Sequence, residues 1–197
     1  ILSHIRDRGG KACVVKADVF TEEGCKALVE ETRASFGQIN ILVVNPGAGW
    51  HPAPPDTLDT KTALDDVRQE LAPLYYLLPL VLPEMYERRW GRIIGISLAP
   101  PWESPSYAYD VGKIARTGAL WRMRKEAWKH GVTVNIIAPG PVASIETFEN
   151  VVELYDHGKA WKKRKNISPQ DIAEGVAFLC SENANFVSGC ILPYMFY

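Results

Sequence analysis

The sequence has no long uncharged hydrophobic run and no excess of charge of one sign. Its longest uncharged apolar stretch covers only residues 71–83 and contains three prolines, whereas a membrane-spanning helix needs about 20 apolar residues. Lys and Arg number 22 and Asp and Glu number 23, which leaves a net charge of -1 and no basic field to attract a phosphate backbone. We therefore expect neither a membrane nor a nucleic acid as a partner.

Paired cysteines and metal-ligand motifs are also missing. The four cysteines, Cys13, Cys25, Cys180 and Cys190, show no CxxC spacing, and the four histidines show no spacing typical of metal ligands. No segment with the pattern of a secretory signal peptide precedes the cysteines in the sequence given. These absences predict reduced thiols, no metal site and a cytoplasmic protein.

What is present is the composition of a packed globular protein, with 197 residues, 47% of them hydrophobic and 23% charged. This length allows one domain, residues 1–197. Predicted helices alternate with apolar β-branched runs, which is typical of a parallel sheet covered on both faces. We predict strands at residues 12–15, 39–44, 92–96, 132–137 and 187–193. The predicted helices cover residues 1–8, 21–37, 60–89 (kinked or split by its prolines), 104–129 and a segment from residue 168.

Tyr109 and Lys113 form the most informative pair. Residues four apart on a helix share a face, so the phenol and the ammonium can approach one point. A phenol has an ordinary pKa of about 10, and a nearby cation lowers it by stabilising the phenolate. The pair predicts a tyrosine acting as a general acid or base, although the spacing alone also fits a chance pair on a helix surface.

Three predicted strands end in residues suited to a ligand site. Asn45 and Gly47 follow one strand, Ser97 ends the next, and Pro139 and Gly140 follow a third. Open parallel sheets bind ligands at the carboxyl ends of their strands. We expect these residues to meet at one edge of the sheet.

In order and spacing, these residues resemble motifs of the short-chain dehydrogenase/reductase family. Four matching segments are Ala-Asp-Val at 17–19 (its adenine-contacting segment), Val-Asn-Pro-Gly at 44–47 (its Asn-Asn-Ala-Gly motif), Tyr-x-x-x-Lys at 109–113 and Pro-Gly at 139–140. Residues 177–181 and 186–189 resemble the family's last helix and the start of its last strand. The resemblance implies a Rossmann-like doubly wound sheet, NAD or NADP as cofactor, and a small-molecule substrate. It also implies proton transfer by the tyrosine while hydride passes between a carbonyl and a secondary alcohol carbon.

The resemblance assigns roles to individual residues. Catalytic roles fall on Tyr109, on Lys113, which would lower the tyrosine pKa and hold the nicotinamide ribose, and on Ser97, which would polarise the substrate oxygen. Cofactor-binding roles fall on Asp18, Val19, Asn45, Gly47, Tyr109, Lys113, Pro139, Gly140 and Ser144. The family's long helices, here residues 60–89 and 104–129, commonly pack against their copies, so a homodimer or homotetramer is expected.

The sequence departs from the family pattern at several points. It contains no GxGxxG-like run and no residue that would select NAD or NADP. Glu70 stands where the family has a helix Asn that organises a proton relay through water. Leu98 takes the usual serine position, with Ser97 one residue earlier. The first two strands of the family's sheet have no counterpart in the sequence given, and we expect some 40 to 60 residues before Ile1, roughly enough for those strands and their helices.

Two other functions remain open from the sequence. A halohydrin dehalogenase-like lyase without nucleotide fits the segment at residues 99–103 and the lost helix Asn, although Lys113 stands where those enzymes carry Arg. A catalytically inactive subunit or interaction module fits Glu70, Leu98 and the missing glycine-rich loop. Ser104 and Ser106 are interpreted as cap and turn residues. Six side chains form either an aromatic substrate pocket or ordinary core and interface: Trp50, His51, Trp102, Phe148, Tyr155 and Trp161.

Overall fold

A computed structural model describes residues 1–47, 49–98, 104–142, 150 and 167–194 of the chain. Its sheet has four strands in the order β1-β2-β3-β4, and every neighbouring pair is parallel. The strands are β1 (Ile41–Val44), β2 (Gly91–Ile96), β3 (Val132–Pro139) and β4 (Ile191–Tyr194). The helices are α1 (Leu2–Asp7), α2 (Glu22–Phe36), α3 (Thr60–Arg88), α4 (Tyr107–Lys129) and α5 (Pro169–Cys180), with a short 3-10 turn at Glu182–Ala184.

Helices cover both faces of this sheet. On one face, side chains of β2 and β3 pack against α2, α3 and α4, and on the other face they pack against α5. The first cluster includes Cys25, Leu74, Leu120, Ile93 and Val134; the second includes Ile94, Ile137 and Leu179. A strand alternates its side chains between the two faces, so apolar residues throughout a strand require cover on both sides. The predicted doubly wound α/β fold is confirmed.

The strand register brings the carboxyl ends of the strands to one edge. Val44 pairs with Gly95, and Ile96 pairs with Ile137. Because all strands run in the same direction, the segments that leave β1, β2 and β3 emerge side by side. This edge is where the sequence places its candidate site residues.

The helix ends follow the predicted capping chemistry in two cases. The Thr21 hydroxyl accepts a hydrogen bond from the Gly24 amide at 3.1 Å, and Ser168 and Asp171 form a complete capping box at the start of α5. The predicted start of α4 at residue 104 is wrong, because the helix begins at Tyr107. The Ser104 hydroxyl instead donates to the Asp110 carboxylate at 2.6 Å.

Helix α3 is continuous over 29 residues, although it contains Pro73, Pro79 and Pro83. The sequence predicted a kink or a split there, and the structure shows no split. One face of α3 is buried along most of its length, with Leu74, Leu77 and Val81 in the core. Packing of this kind supplies most of a helix's stability in a folded protein, so the missing amide donors of the prolines do not end the helix.

Three predicted strands differ from the structure. Residues 12–15 form no strand, because no strand in the described part of the chain lies beside them to pair with. Strand β1 starts at Ile41 and is not buried on both faces: Ile41 and Val43 are exposed, since their side chains point away from the face that α2 and α3 cover. Strand β4 starts at Ile191 and not at residue 187.

None of the helices within the described ranges is both long enough and apolar enough to cross a bilayer.

Candidate active site

A cavity of about 480 Å³ opens at the carboxyl ends of the strands. The segment after β1 supplies Asn45, the end of β2 supplies Ser97, and the end of β3 supplies Pro139 and Gly140. Helix α4 supplies Tyr109 and Lys113, and the loop after β1 adds Trp50. The structure therefore brings together six of the residues that the sequence assigned to catalysis or cofactor binding.

Tyr109 lies between a cation and an indole ring. The Lys113 ammonium is 5.2 Å from the centroid of the Tyr109 ring, and the Trp50 ring meets it edge-on at a centroid distance of 5.3 Å. Burial raises the pKa of the Tyr109 phenol, and the carboxylate of Glu70 raises it further. The net effect on the pKa is upward, because desolvation and Glu70 outweigh the opposing effect of the Arg116 cation. The role of Lys113 in lowering this pKa stays a prediction.

Lys113 is itself held by a carboxylate below the cavity. Its ammonium lies 3.3 Å from Glu70 Oε2, and the guanidinium of Arg116 lies 2.8 Å from the same oxygen. Burial lowers the pKa of Lys113, against the opposing effect of Glu70. The ammonium therefore sits in a fixed position, with one neighbouring carboxylate and one neighbouring cation.

Ser97 lines the cavity, but its hydroxyl is bonded to helix α4. It donates to the backbone carbonyl of Lys113 at 2.6 Å and accepts from the Thr117 hydroxyl at 2.7 Å. The Leu98 carbonyl oxygen also lies 2.7 Å from Thr117 Oγ1 and is an alternative acceptor for its single proton. Ser97 thus fastens the end of β2 to α4, and it can polarise a substrate oxygen only after its hydroxyl rotates.

Three other assigned residues, Gly47, Asp18 and Val19, lie outside the cavity lining. Gly47 lies below the cavity, where an added Cβ would overlap the Glu70 carboxylate. Asp18 and Val19 precede α2, where the Asp18 carboxylate accepts the Phe20 amide at 3.0 Å, and neither of them lines the cavity. Ser144 lies outside the described residues, as do Trp102, Phe148, Tyr155 and Trp161 of the suggested aromatic set.

A buried aspartate fixes the loop that carries Trp50, and the sequence reading did not find it. Asp66 is 2% exposed, and each of its carboxylate oxygens lies 3.0 Å from Nδ1 of His51. The Ser106 hydroxyl donates to the His51 carbonyl at 3.0 Å. One signal was available, because Asp66 and Glu70 are four apart on a helix whose same face is apolar, and buried carboxylates need partners.

The fold and this cavity define the class of protein, a Rossmann-like α/β protein with Tyr109 and Lys113 in a cavity at the carboxyl edge of its parallel sheet. The family model described as "Enoyl-(Acyl carrier protein) reductase" matches residues 2–194. The chain is 30% identical to 3-oxoacyl-(acyl-carrier-protein) reductase FabG of Haemophilus influenzae, over 98% of this chain and 79% of that protein. This chain belongs to the short-chain dehydrogenase/reductase family and is an oxidoreductase.

Solved structures agree with this assignment. The chain is also 30% identical to 7alpha-hydroxysteroid dehydrogenase of Escherichia coli, over 98% of this chain and 76% of that enzyme. A 7alpha-hydroxysteroid dehydrogenase solved with NADH and 7-oxo glycochenodeoxycholic acid superposes with a TM-score of 0.81 at 29% identity, again over 98% and 76% of the two chains. A short-chain dehydrogenase/reductase from Burkholderia xenovorans gives a TM-score of 0.82 at 24% identity, which supports the fold alone.

The cavity has the chemistry to hold the nicotinamide and ribose part of NAD or NADP. The Lys113 ammonium, the Tyr109 hydroxyl and the Asn45 amide can bond to ribose hydroxyls and a carboxamide. Ile96 and Pro139 give the cavity apolar walls, which suit a flat ring. A glycine-rich loop for the pyrophosphate is not found in the sequence given.

Proposed function

We propose that the protein interconverts a carbonyl and a secondary alcohol with NAD or NADP, and that Tyr109 moves the proton. One observation carries this proposal: the Tyr109 hydroxyl and the Lys113 ammonium line one cavity at the carboxyl edge of a parallel sheet. The family assignment supports it, and the relatives named above are reductases and dehydrogenases, which favours this reaction over a dehalogenase-like one.

In carbonyl reduction, the phenol of Tyr109 donates its proton to the substrate oxygen, and in alcohol oxidation the phenolate takes that proton back. The bound nicotinamide supplies or accepts the hydride. A phenol is protonated at neutral pH, and burial raises the pKa of Tyr109 further, which suits the acid role. The Lys113 ammonium stabilises the phenolate that forms and can bond to the ribose. Asn45, Pro139 and Gly140 line the same cavity and are assigned to the cofactor. Asp18, Val19 and Gly47, which do not line it, and Ser144, outside the described residues, are assigned to the cofactor as well.

The substrate side of the cavity is apolar. Trp50, Pro105 and Val142 line it, so we propose a hydrophobic substrate with a carbonyl or secondary alcohol group. The test follows the absorbance of the reduced nicotinamide with NADH and NADPH against 3-oxoacyl thioesters and oxo-steroids. Turnover with one dinucleotide supports the proposal. Halide release from a vicinal haloalcohol without nucleotide would contradict the proposal and indicate a dehalogenase. Absence of binding of either dinucleotide in calorimetry would contradict it and indicate an inactive subunit.

We also propose that the protein forms a homodimer or homotetramer through α3 and α4. The outer face of α4 carries an apolar stripe in which Tyr107, Val111, Ile114 and Trp121 are each about 40% exposed or more, and residues at this spacing share one face. Gly118 lies on the same stripe, with nothing within 4 Å of the place that a Cβ would take. Such a surface suits close approach of a second helix.

Val111→Glu is expected to convert the oligomer to a monomer, because it places a charge in the centre of the apolar stripe. Sedimentation velocity measures the change. Ala34→Glu is the matched control, since it makes the same change of residue class at an exposed position of α2, outside the stripe. An unchanged sedimentation coefficient for Val111→Glu would refute this interface, and so would a monomeric parent protein.

A cytoplasmic location is proposed on separate grounds. All four cysteines are unpaired, and Cys13 is exposed. Unpaired exposed thiols are usual where glutathione and thioredoxin keep the compartment reducing.

A further inference from the structure

Glu70, Lys113 and Arg116 form a buried charge cluster under the cavity. Glu70 and Arg116 have fully buried side chains, and the Lys113 side chain is 9% exposed. Lys113 Nζ and Arg116 Nη2 both approach the same carboxylate oxygen, at 3.3 and 2.8 Å. A buried charge is costly unless it is paired. One carboxylate therefore faces two basic groups in this cluster next to Tyr109.

Two glycines, Gly112 and Gly47, pack directly against the Glu70 side chain and leave space for it because they have no Cβ. A Cβ at Gly112 of α4 would lie 2.9 Å from Glu70 Cγ, and a Cβ at Gly47, after β1, would overlap Glu70 Oε1. Neither position could hold a Cβ without displacing the Glu70 side chain. The backbones of α4 and of the segment after β1 thus close tightly around this carboxylate, and its position is defined from two sides.

Arg116 extends the cluster to the ends of two strands. Its guanidinium donates to the Glu70 carbonyl at 2.8 Å, to the Ile96 carbonyl at 3.1 Å and to the Pro46 carbonyl. Ile96 ends β2, and Pro46 follows β1. Arg116 therefore joins α3, α4 and both strand ends directly below the cavity, and a planar five-donor group is suited to such a junction.

We propose that Glu70 is a positioning residue that fixes the Lys113 ammonium beside Tyr109 and sets the pH range in which Tyr109 donates its proton, with Arg116 as its charge partner. The inference rests on the proposed function, because it concerns the acid of that reaction. It assigns Glu70 and Arg116 one joint role, which neither residue could have alone in a buried site.

The charges around Tyr109 give the sign of the effect. Glu70 on α3 faces it as an anion; Lys113 and Arg116 on α4 face it as cations, and Asp110 adjoins it. In the loop that carries Trp50, the titratable group His51 bonds to Asp66. Loss of the Glu70 charge removes an anion that raises the pKa of the phenol and leaves the opposing Arg116 cation in place, so the pKa of the phenol falls. Carbonyl reduction needs the protonated phenol, so activity would then be lost at lower pH.

The test compares the parent protein with Glu70→Gln, which keeps the size and removes the charge. We expect the alkaline midpoint of kcat/KM for carbonyl reduction to move down by about one pH unit or more. Phenolate absorbance, measured as the difference between each protein and its Tyr109→Phe form, reports the same midpoint without catalysis. Glu126→Gln is the matched control, because Glu126 lies on α4, is 59% exposed and pairs with Lys129; its midpoint should not move.

A double variant gives a second test of the charge effect. Glu70→Gln with Arg116→Met removes one charge of each sign, so its phenolate midpoint should return toward that of the parent. Its melting temperature is expected to fall, because three backbone carbonyls lose their Arg116 donor. For Glu70→Gln alone, a lower melting temperature with an unchanged midpoint would mean a structural role only and would overturn the proposal. An inactive parent protein would refute the proposed function, while the phenolate titration would still decide this inference.

Discussion

Replacing Tyr109 with phenylalanine is expected to reduce kcat/KM for carbonyl reduction by about 10²- to 10⁴-fold, the usual contribution of a positioned general acid. The phenyl ring keeps the edge contact with Trp50 and the place beside Lys113. Only the hydroxyl is lost, so the melting temperature should stay close to that of the parent, and dinucleotide affinity should fall by no more than the one hydrogen bond that this hydroxyl can make to the ribose. Steady-state kinetics and a calorimetric titration with the preferred dinucleotide measure the two effects separately.

Tyr107→Phe is the control for this change. Tyr107 lies two residues earlier on the same helix, but its side chain is 48% exposed and faces away from the cavity. Its loss of a hydroxyl should leave kcat/KM unchanged. If both variants keep most of the activity, the proton comes from another group and the assignment of Tyr109 is wrong.

The pH dependence of the reaction follows from the same burial. Because desolvation and Glu70 raise the pKa of the Tyr109 phenol, the acid stays protonated through neutral pH. Carbonyl reduction should therefore be level across neutral pH and fall only as the pH rises through the pKa of Tyr109. Alcohol oxidation needs the phenolate, so its rate should rise over the same alkaline range.

Local pattern was enough to predict most of the fold. Apolar β-branched runs located β2 and β3, and the Thr21 and Ser168 caps located the starts of two helices, because these signals act within a few residues. The failed strand at residues 12–15 has the same local pattern. A strand, however, needs a neighbour, and whether a neighbour lies beside it is not a local property.

The part of the candidate site that depends on residues close in sequence was predictable, and the part that depends on distant residues was not. Tyr109 and Lys113 are four apart, so their meeting follows from helix geometry. Glu70 and Arg116 are 46 residues apart, and their pairing depends on how α3 crosses α4. The raised pKa of Tyr109 could not be foreseen either, since it results from burial and from that long-range pair. Spacing indicated which residues meet but not the electrostatic environment in which they meet.

Asn135→Leu is expected to cause the largest loss of stability, about 2–6 kcal/mol in the free energy of unfolding. Asn135 is fully buried in the middle of β3. Its amide donates to the Val187 carbonyl at 2.8 Å, and its carbonyl oxygen accepts the Cys190 amide at 3.0 Å. Leucine would leave both backbone groups without these partners, and each such group costs about 1–3 kcal/mol when it is buried.

This loss matters because Asn135 joins β3 to the segment that leads into β4. The Gly189 amide also donates to the Val134 carbonyl at 2.7 Å, so the whole turn before β4 is bonded to one stretch of β3. That stretch continues to Pro139 and Gly140 in the cavity. A loosened turn should weaken dinucleotide binding in proportion to the fraction of unfolded protein, and not through direct contact.

Urea denaturation of Asn135→Leu and Thr133→Val measures the effect within one strand. Thr133 is 2% exposed, and its hydroxyl has no hydrogen-bond partner in the described part of the chain. Valine has nearly the same shape without the unbonded hydroxyl, so Thr133→Val should be neutral or stabilising. A net stability of about 5–15 kcal/mol is typical of a folded domain, so the Asn135 change should shift the urea midpoint strongly. Equal midpoints for the two variants would show that the Asn135 bonds do not hold β4 to the sheet.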